Sequence, residues 1–200
     1  MLDFLAVAQQ CAPSVHADTM MRIVRTESSF NPYAIGVVRG KLDRQPRTLE
    51  EAIATAQELE RQGFNYSVGM AQVNKKNFSK YGLTLKSAFE ICPNLKAGGA
   101  ILQECYLRAF KVRRDEQAAL RDAFSCYYSG NFITGYKEGY VLKVVSGGKA
   151  AKLAPAVATK SIPDGNARAI LVRANGRTVT AQSEATQSEG PSSATSALLF

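Results

Sequence analysis

The run from Pro93 to Val112 limits the fold more than any other stretch of the chain. Pro93 suits the first turn of a helix, and Leu95, Ile101, Leu102, Cys105 and Phe110 then recur at helical spacing and can line one buried face. In its middle stands Gly98-Gly99, which costs helix propensity on the order of 1 kcal/mol per glycine. A helix that keeps two adjacent glycines on its length needs them for close approach by another helix. The sequence therefore predicts a helical core built around Asn94 to Val112, with a neighbour pressed against the glycines.

The second constraint is Arg25-Thr26-Glu27-Ser28-Ser29-Phe30-Asn31-Pro32-Tyr33-Ala34. Upstream, Val15, Met20, Met21, Ile23 and Val24 form a helix-like apolar stripe, and Pro32 drives Asn31 out of the helical region, closing the helix within a few residues. Glu27 thus sits at a helix C-terminus among apolar neighbours. The negative end of the macrodipole and burial both disfavour a carboxylate there, and both would raise its pKa toward the range useful to a general acid.

The remaining elements follow in order. Met1 to Ala8 has an apolar run and a small-x-small triplet, Ala6-Val7-Ala8, but no basic n-region and an acid at Asp3. It is a poor signal peptide, and Asp3 to Gln10 reads as an opening amphipathic helix. Cys11-Ala12-Pro13 makes a turn, and Ser14 is the expected N-cap of the helix that delivers Glu27. Ala34 to Asp43, with Gly36 and Gly40, reads as a loop or small hairpin. Thr48-Leu49-Glu50-Glu51 fits a capping box, and the surface helix it opens stops at Gly63. In Phe64 to Asn74, Gly69 lies within a largely apolar stretch and signals a close backbone approach. Asn77 to Tyr81 reads as a helical turn ended by Gly82. Asp115 caps a helix reaching about Tyr128, which Gly130 and Asn131 break, and Ile133 to Val145 is the last packed element.

From Ser146 the composition changes to Gly, Ala, Ser, Thr and Gln without a sustained apolar period. The expected division is a domain over residues 1–145 and a low-complexity, mostly disordered tail over 146–200, with a weak strand at Ala169 to Val172. From Ala150 onward the tail holds five Lys or Arg against three Asp or Glu, so most of the net charge of +8 belongs to the folded part. That charge implies an anionic partner such as nucleic acid, lipid headgroups or acidic wall polymer. Basic residues scattered without interleaved aromatics, and the lack of a recognisable nucleic-acid motif, argue against DNA or RNA. No apolar run approaches the roughly 20 residues of a membrane span.

Cys11, Cys92, Cys105 and Cys126 form no C-x-x-C pair, and with His16 as the single histidine no metal site is expected. A helix from Pro93 would hold Cys92 and Cys105 about 20 Å apart, too far to bridge. That leaves Cys11 with Cys92 plus Cys105 with Cys126, or Cys11 with Cys105 plus Cys92 with Cys126, or four reduced thiols.

Three segments together resemble the soluble lytic transglycosylases of the goose-type lysozyme superfamily. Glu27-Ser28-x-Phe30-x-Pro32-x-Ala34 matches E-S-x-F-x-P-x-A, Gly69-Met70-Ala71-Gln72 is similar to G-L-M-Q, and Tyr127-x-x-Gly130 matches Y-x-x-G. Asn94-Leu95-x-x-Gly98 resembles the helix-start motif between them. The C-A-P-S-V opening, the R-Q-P-R-T-L-E-E-A-I-A-T-A insert and S-C-Y-Y-S-G-N resemble, more narrowly, the peptidoglycan-cleaving component of type IV secretion and conjugation systems. The resemblance covers about Asp3 to Val145. It departs at Met70, Ala71 and Tyr128, where the family often has Leu, Met and Asn.

The resemblance implies a mainly α, lysozyme-like (α+β) fold with a very small β element, a periplasmic location, glycan strands of peptidoglycan as substrate and secretion-system core proteins as partners. It implies no cofactor. Glu27 would act as both acid and base, Tyr127 would hydrogen-bond and orient it, and Ser28 would support it. Gly69, Met70, Gln72 and Tyr128 fall on the saccharide side. Asp43 and Glu58 lie in no motif and read as solvated charges, which leaves one motif carboxylate where ordinary glycosidases use two. The competing reading is a wall-binding scaffold without catalysis.

Overall fold

Ile91–Arg113 forms the longest helix, α4, and a Cβ placed on Gly98 would stand 2.6 Å from the Cβ of Ala71, while one on Gly99 would stand 3.0 Å from that of Ala12. The glycine pair is therefore where two other parts of the chain press onto the helix, as its sequence cost suggests. The computed structural model describes residues 3–147, 169–174 and 177–178. In chain order these are α1 (Phe4–Cys11), α2 (Ala17–Ser28), β1 (Ile35–Val37), β2 (Gly40–Leu42), α3 (Leu49–Arg61), β3 (Tyr66–Val68) and β4 (Val73–Asn74). After α4 come α5 (Glu116–Ser129), α6 (Thr134–Lys137), α7 (Tyr140–Val145), β5 (Val172–Ala174) and β6 (Arg177–Thr178). The class is the expected one, mainly α with a small β element in a lysozyme-like arrangement.

Local chemistry explains most boundaries. Asp3 caps α1 through the Leu5 N–H, Thr48 caps α3 through the Glu51 N–H, and Asp115 caps α5 through the Ala118 N–H. The box at Thr48 is half-formed, because the Glu51 carboxylate turns to Arg44 and to the Arg47 N–H. The cap expected at Ser14 is instead His16, whose Nδ1 accepts from the Asp18 N–H at 3.3 Å. A turn closed by the Val15 N–H on the Ala12 carbonyl holds Ser14 two residues short of the helix. Gly139, at φ 72°, divides the single element expected over Ile133 to Val145 into α6 and α7.

Two antiparallel sheets of three short strands, β1-β3-β4 and β2-β5-β6, flank the helices. The segment Ala34 to Asp43, expected as a loop or small hairpin, resolves into β1 and β2, each paired with a more distant strand. Most of the expected tail over 146–200 lies outside the described residues. The strand expected at Ala169 to Val172 starts three residues later, at Val172, because Leu42 sets the register opposite Val172 and the Ile170 N–H is taken by Thr55.

Disulfides join Cys11 to Cys92 and Cys105 to Cys126, the first of the two pairings left open by spacing. Both hold α4, one to α1 and one to α5. Between these anchors α2 contributes Met20 and Val24 to the apolar packing with α1 and α4, and Ile23 to the packing with α5 and α7. The helix that carries Glu27 in its last turn is thus gripped from two sides.

Candidate active site

Met20, Ile23 and Val24 are completely buried, and the next position on that stripe is Glu27. The helix period itself turns the acid toward the interior. The helix stops because Ser29 and Phe30 adopt left-handed φ values of 52° and 66°, sparsely populated for residues other than glycine. The Ser29 N–H returns to the Arg25 carbonyl, and the Asn31 side chain accepts from the Tyr33 N–H as the chain turns past Pro32. Two consecutive strained residues that begin two positions after an acid are the kind of backbone that clusters at functional sites.

Tyr140, at the start of α7, donates its hydroxyl to Glu27 Oε1 at 2.5 Å. Burial pushes the Glu27 carboxyl from 4.5 up to about 7, and the Tyr140 hydrogen bond, which favours the carboxylate, pulls the other way. The side chain is therefore balanced between its two protonation states near neutral pH. Burial and the nearby Glu27 charge together push the Tyr140 phenol well above its ordinary range, so it remains a donor.

The orienting role expected of Tyr127 is corrected by this geometry. Its hydroxyl donates to the Ala71 carbonyl at 2.6 Å, because α5 places it over Gly98 and against the turn that carries Ala71. Burial raises its pKa, and Glu27 is near enough to raise it further. Tyr127 lies beside the acid but secures the turn. The Ser28 hydroxyl bonds back to the Val24 carbonyl at 3.2 Å and so shapes the helix end without touching the acid.

The turn from Gly69 to Gln72 joins β3 and β4 opposite this helix end. Gly69 has φ 80°, and a Cβ on it would stand 2.3 Å from Asn94 Nδ2, which accounts for the close approach expected there. Asn94, fully buried, accepts from the Ala71 N–H at 2.7 Å and donates to the carbonyls of Val68 and Ala88. Gln72, itself at φ 47°, gives both amide protons to backbone carbonyls, Ala34 at 3.0 Å and Gly69 at 2.9 Å. What it can offer a ligand is the acceptor Oε1. Met70 is nearly buried, in one core cluster with Met20, Val24 and Ala71.

Tyr128 is 45% exposed, stacks on Tyr140 at 4.7 Å between ring centroids, and donates its hydroxyl to Glu138. Glu138 is absent from the groups that shift Glu27, whereas Tyr127, Tyr128 and Tyr140 all feel the Glu27 charge. The site thus joins the expected Glu27, Tyr127, Tyr128 and the Gly69 turn, and adds Tyr140. The signal for Tyr140 was slight: a phenol on a short apolar stripe with Val141 and Val144, which needs a partner once buried. Asp43 and Glu58 are elsewhere, Glu58 held by Arg61 and Gln62. Among the described residues no three His, Cys, Asp or Glu gather as a metal site, and no helix is long and apolar enough to cross a membrane.

The transglycosylase SLT domain model matches residues 4–140. The chain is 57% identical over 152 residues to the type IV secretion system protein virB1 of Brucella abortus (strain 9-941), covering 73% of this chain and 64% of that protein. The Brucella suis protein of the same name gives the same figures, and protein virB1 of Rhizobium radiobacter is 37% identical over 157 residues, 78% of this chain and 64% of that protein. The chain therefore spans less than two thirds of the length of these relatives. No solved structure matches it. The matched region runs from the first helix through Glu27, the Gly69 turn and Tyr127 to Tyr140, and the chain belongs to the transglycosylase SLT domain family.

Proposed function

We propose that this protein is a peptidoglycan lytic transglycosylase that cleaves the β-1,4 bond between N-acetylmuramic acid and N-acetylglucosamine and leaves a 1,6-anhydro-muramoyl end. The observation that carries the reading is Glu27 itself: a buried carboxyl raised to about 7 and hydrogen-bonded by Tyr140, with no second carboxylate among the described residues acting on it. One group that passes between acid and base suits an intramolecular reaction better than a hydrolysis needing two carboxylates.

Protonated Glu27 donates to the glycosidic oxygen as the C1–O bond breaks, and the acetamido group of the muramoyl residue stabilises the charge developing at C1. The carboxylate then takes the proton from the C6 hydroxyl as the C6 oxygen bonds C1, which closes the anhydro ring and restores Glu27 without consuming water. Tyr140 holds the carboxylate in the intermediate stage. Gln72 Oε1 and the backbone at Met70 bind the sugar, Gly69, whose N–H and carbonyl are already bonded within the protein, shapes the turn that presents them, and the exposed ring of Tyr128 supplies a stacking face. Ser28 and Tyr127 support the acid by fixing the helix end and the opposing turn.

The likeness to the type IV secretion system protein virB1 of Brucella supports a role for such an enzyme in a secretion system of that type, where local opening of the wall would admit the apparatus, with its core proteins as partners. Two disulfides agree with an oxidising periplasm. Digestion of purified peptidoglycan with mass analysis of the products tests the chemistry. Anhydro-muropeptides that vanish with Glu27→Gln support it, reducing ends indicate hydrolysis, and no release by folded wild type favours a wall-binding scaffold.

A further inference from the structure

Residues 169–174 and 177–178 lie beyond the family match, which ends at residue 140, yet they close one side of the sheet region. β5 pairs antiparallel with β2, Leu42 opposite Val172, and the Asp43 N–H continues the contact to the Leu171 carbonyl at 3.2 Å. Ile170 and Val172 are buried with Leu42, Ala52, Ala56 and Leu59, and the Ile170 N–H donates to Thr55 Oγ1 on α3 at 3.0 Å. Burial of these two branched side chains holds β2 against α3.

Three residues past β2, Gln45 meets β1. Its Oε1 accepts from the Ile35 N–H at 2.8 Å and its Nε2 donates to the Ile35 carbonyl at 3.0 Å. A side-chain amide carries the same donor and acceptor as a peptide unit, so Gln45 fills one strand position on the edge of β1 away from β3. Pro46 restricts Gln45 to extended backbone, and Arg44 ties the segment by bonding both the Gln45 carbonyl and Glu51. On its other side Ile35 lies opposite Val68, the residue before Gly69. The preceding residue, Ala34, receives both the Gly69 N–H and Gln72 Nε2 on its carbonyl.

We propose that Gln45 is a positioning residue for the ligand-facing turn from Gly69 to Gln72, and that the C-terminal strand β5 holds it in place. The inference rests on the transglycosylase reading for the nature of the ligand, a saccharide of N-acetylated sugars, and on geometry alone for the coupling. Gln45 and β5 act on binding, while Glu27 and Tyr140 lie on α2 and α7 and are untouched.

The test uses the full chain with Gln45→Ala, Gln45→Glu and Val172→Asp. Amide exchange at Ile35 and Gly69 is expected to speed up about tenfold in all three, as for loss of one or two hydrogen bonds. Gln45→Glu gives no rescue, because a carboxylate cannot donate to the Ile35 carbonyl. KM for peptidoglycan rises about tenfold with kcat and its pH profile unchanged, and an N-acetylglucosamine hexamer binds Glu27→Gln correspondingly more weakly when Gln45→Ala is added. Unchanged exchange at Gly69 in both Gln45 variants would overturn the proposal, as would a fall in kcat at constant KM. If Val172→Asp does not fold, the Gln45 variants, at an exposed residue, still decide. Absence of turnover by wild type would remove the enzymatic reading alone, since exchange and hexamer binding report the coupling without it.

Discussion

The hydroxyl of Tyr140 donates to Glu27 Oε1 across 2.5 Å, between residues 113 positions apart. Burial keeps Glu27 protonated at a pH where an exposed glutamate would be ionised, and Tyr140 offsets part of that by stabilising the carboxylate. The pair sets both the protonation and the direction of the acid.

Tyr140→Phe removes the opposing influence, so the Glu27 pKa rises further above about 7. The alkaline limb of the pH–rate profile, where the acid loses its proton, is expected to move to higher pH. The maximal rate falls about ten- to a hundredfold as the carboxyl loses its fixed orientation. Profiles of peptidoglycan turnover check both; a limb displaced to lower pH would contradict the assigned role.

Glu27→Gln should stabilise the protein at alkaline pH. Between 4.5 and about 7 the unfolded carboxyl is ionised while the folded one keeps its proton, so wild-type stability declines as pH rises through that window and the cost is complete above it. Glutamine carries no such cost. The variant is expected to gain about 3 kcal/mol over wild type at pH 8 relative to pH 4, by chemical denaturation at the two values. An equal difference at both would separate the gain from ionisation.

How much of this was legible in the sequence depended on the range of the interaction. Glu27 was readable because a helix period and a proline act within a few residues. Gly98 and Gly69 were readable because glycine in a helix or an apolar stretch signals close approach. Asp115 announced its cap by residue type alone. The partners of Glu27 and Tyr127 were not readable, because two tyrosines compete for two acceptors and only the packing of α5 and α7 decides which reaches which. Ser14 failed as a cap because a turn closing on Ala12, invisible in composition, consumed it. The pairing of β5 with β2 spans more than 120 residues and depends on a side-chain hydroxyl at Thr55.

Gly98→Ala places a methyl 2.6 Å from the Ala71 Cβ and 3.0 Å from the Tyr127 hydroxyl. Helix propensity favours alanine by about 1 kcal/mol, but overpacking against two tethered groups costs about 1–3 kcal/mol and should win. The expected result is a lower Tm together with weaker saccharide binding, because Ala71 and Tyr127 hold the turn. Gly99→Ala, 3.0 Å from the Ala12 Cβ and in ordinary contact with Val15 Cγ2 at 3.6 Å, should lower Tm less and leave binding unchanged.

The two disulfides should differ in worth. Cys11–Cys92 closes a separation of 81 residues and Cys105–Cys126 one of 21. In the chain-entropy account these correspond to about 4.5 and 3 kcal/mol. Paired Cys→Ala replacements, compared by denaturant titration, are expected to rank in that order, and alkylation of denatured, unreduced wild type should label no thiol.

Arg22 and Arg25, both on α2, reach the far end of α7. Arg22 Nη1 donates to the Val145 carbonyl at 2.8 Å and Arg25 Nη1 to the Gly147 carbonyl at 3.0 Å, so two cations satisfy carbonyls at a helix C-terminus. The helix that presents Glu27 is thereby clamped to the helix that presents Tyr140. The double variant Arg22→Gln, Arg25→Gln should lower stability by about 1–3 kcal/mol from the lost charge-assisted bonds. It should also displace the alkaline limb upward, in the same direction as Tyr140→Phe, since looser seating of α7 lengthens the Tyr140 bond. A double-mutant cycle distinguishes a clamp from general weakening. If the arginines act through Tyr140, their removal in a Tyr140→Phe background leaves the limb where it is and costs only stability; a second full displacement would show that they reach Glu27 by another route.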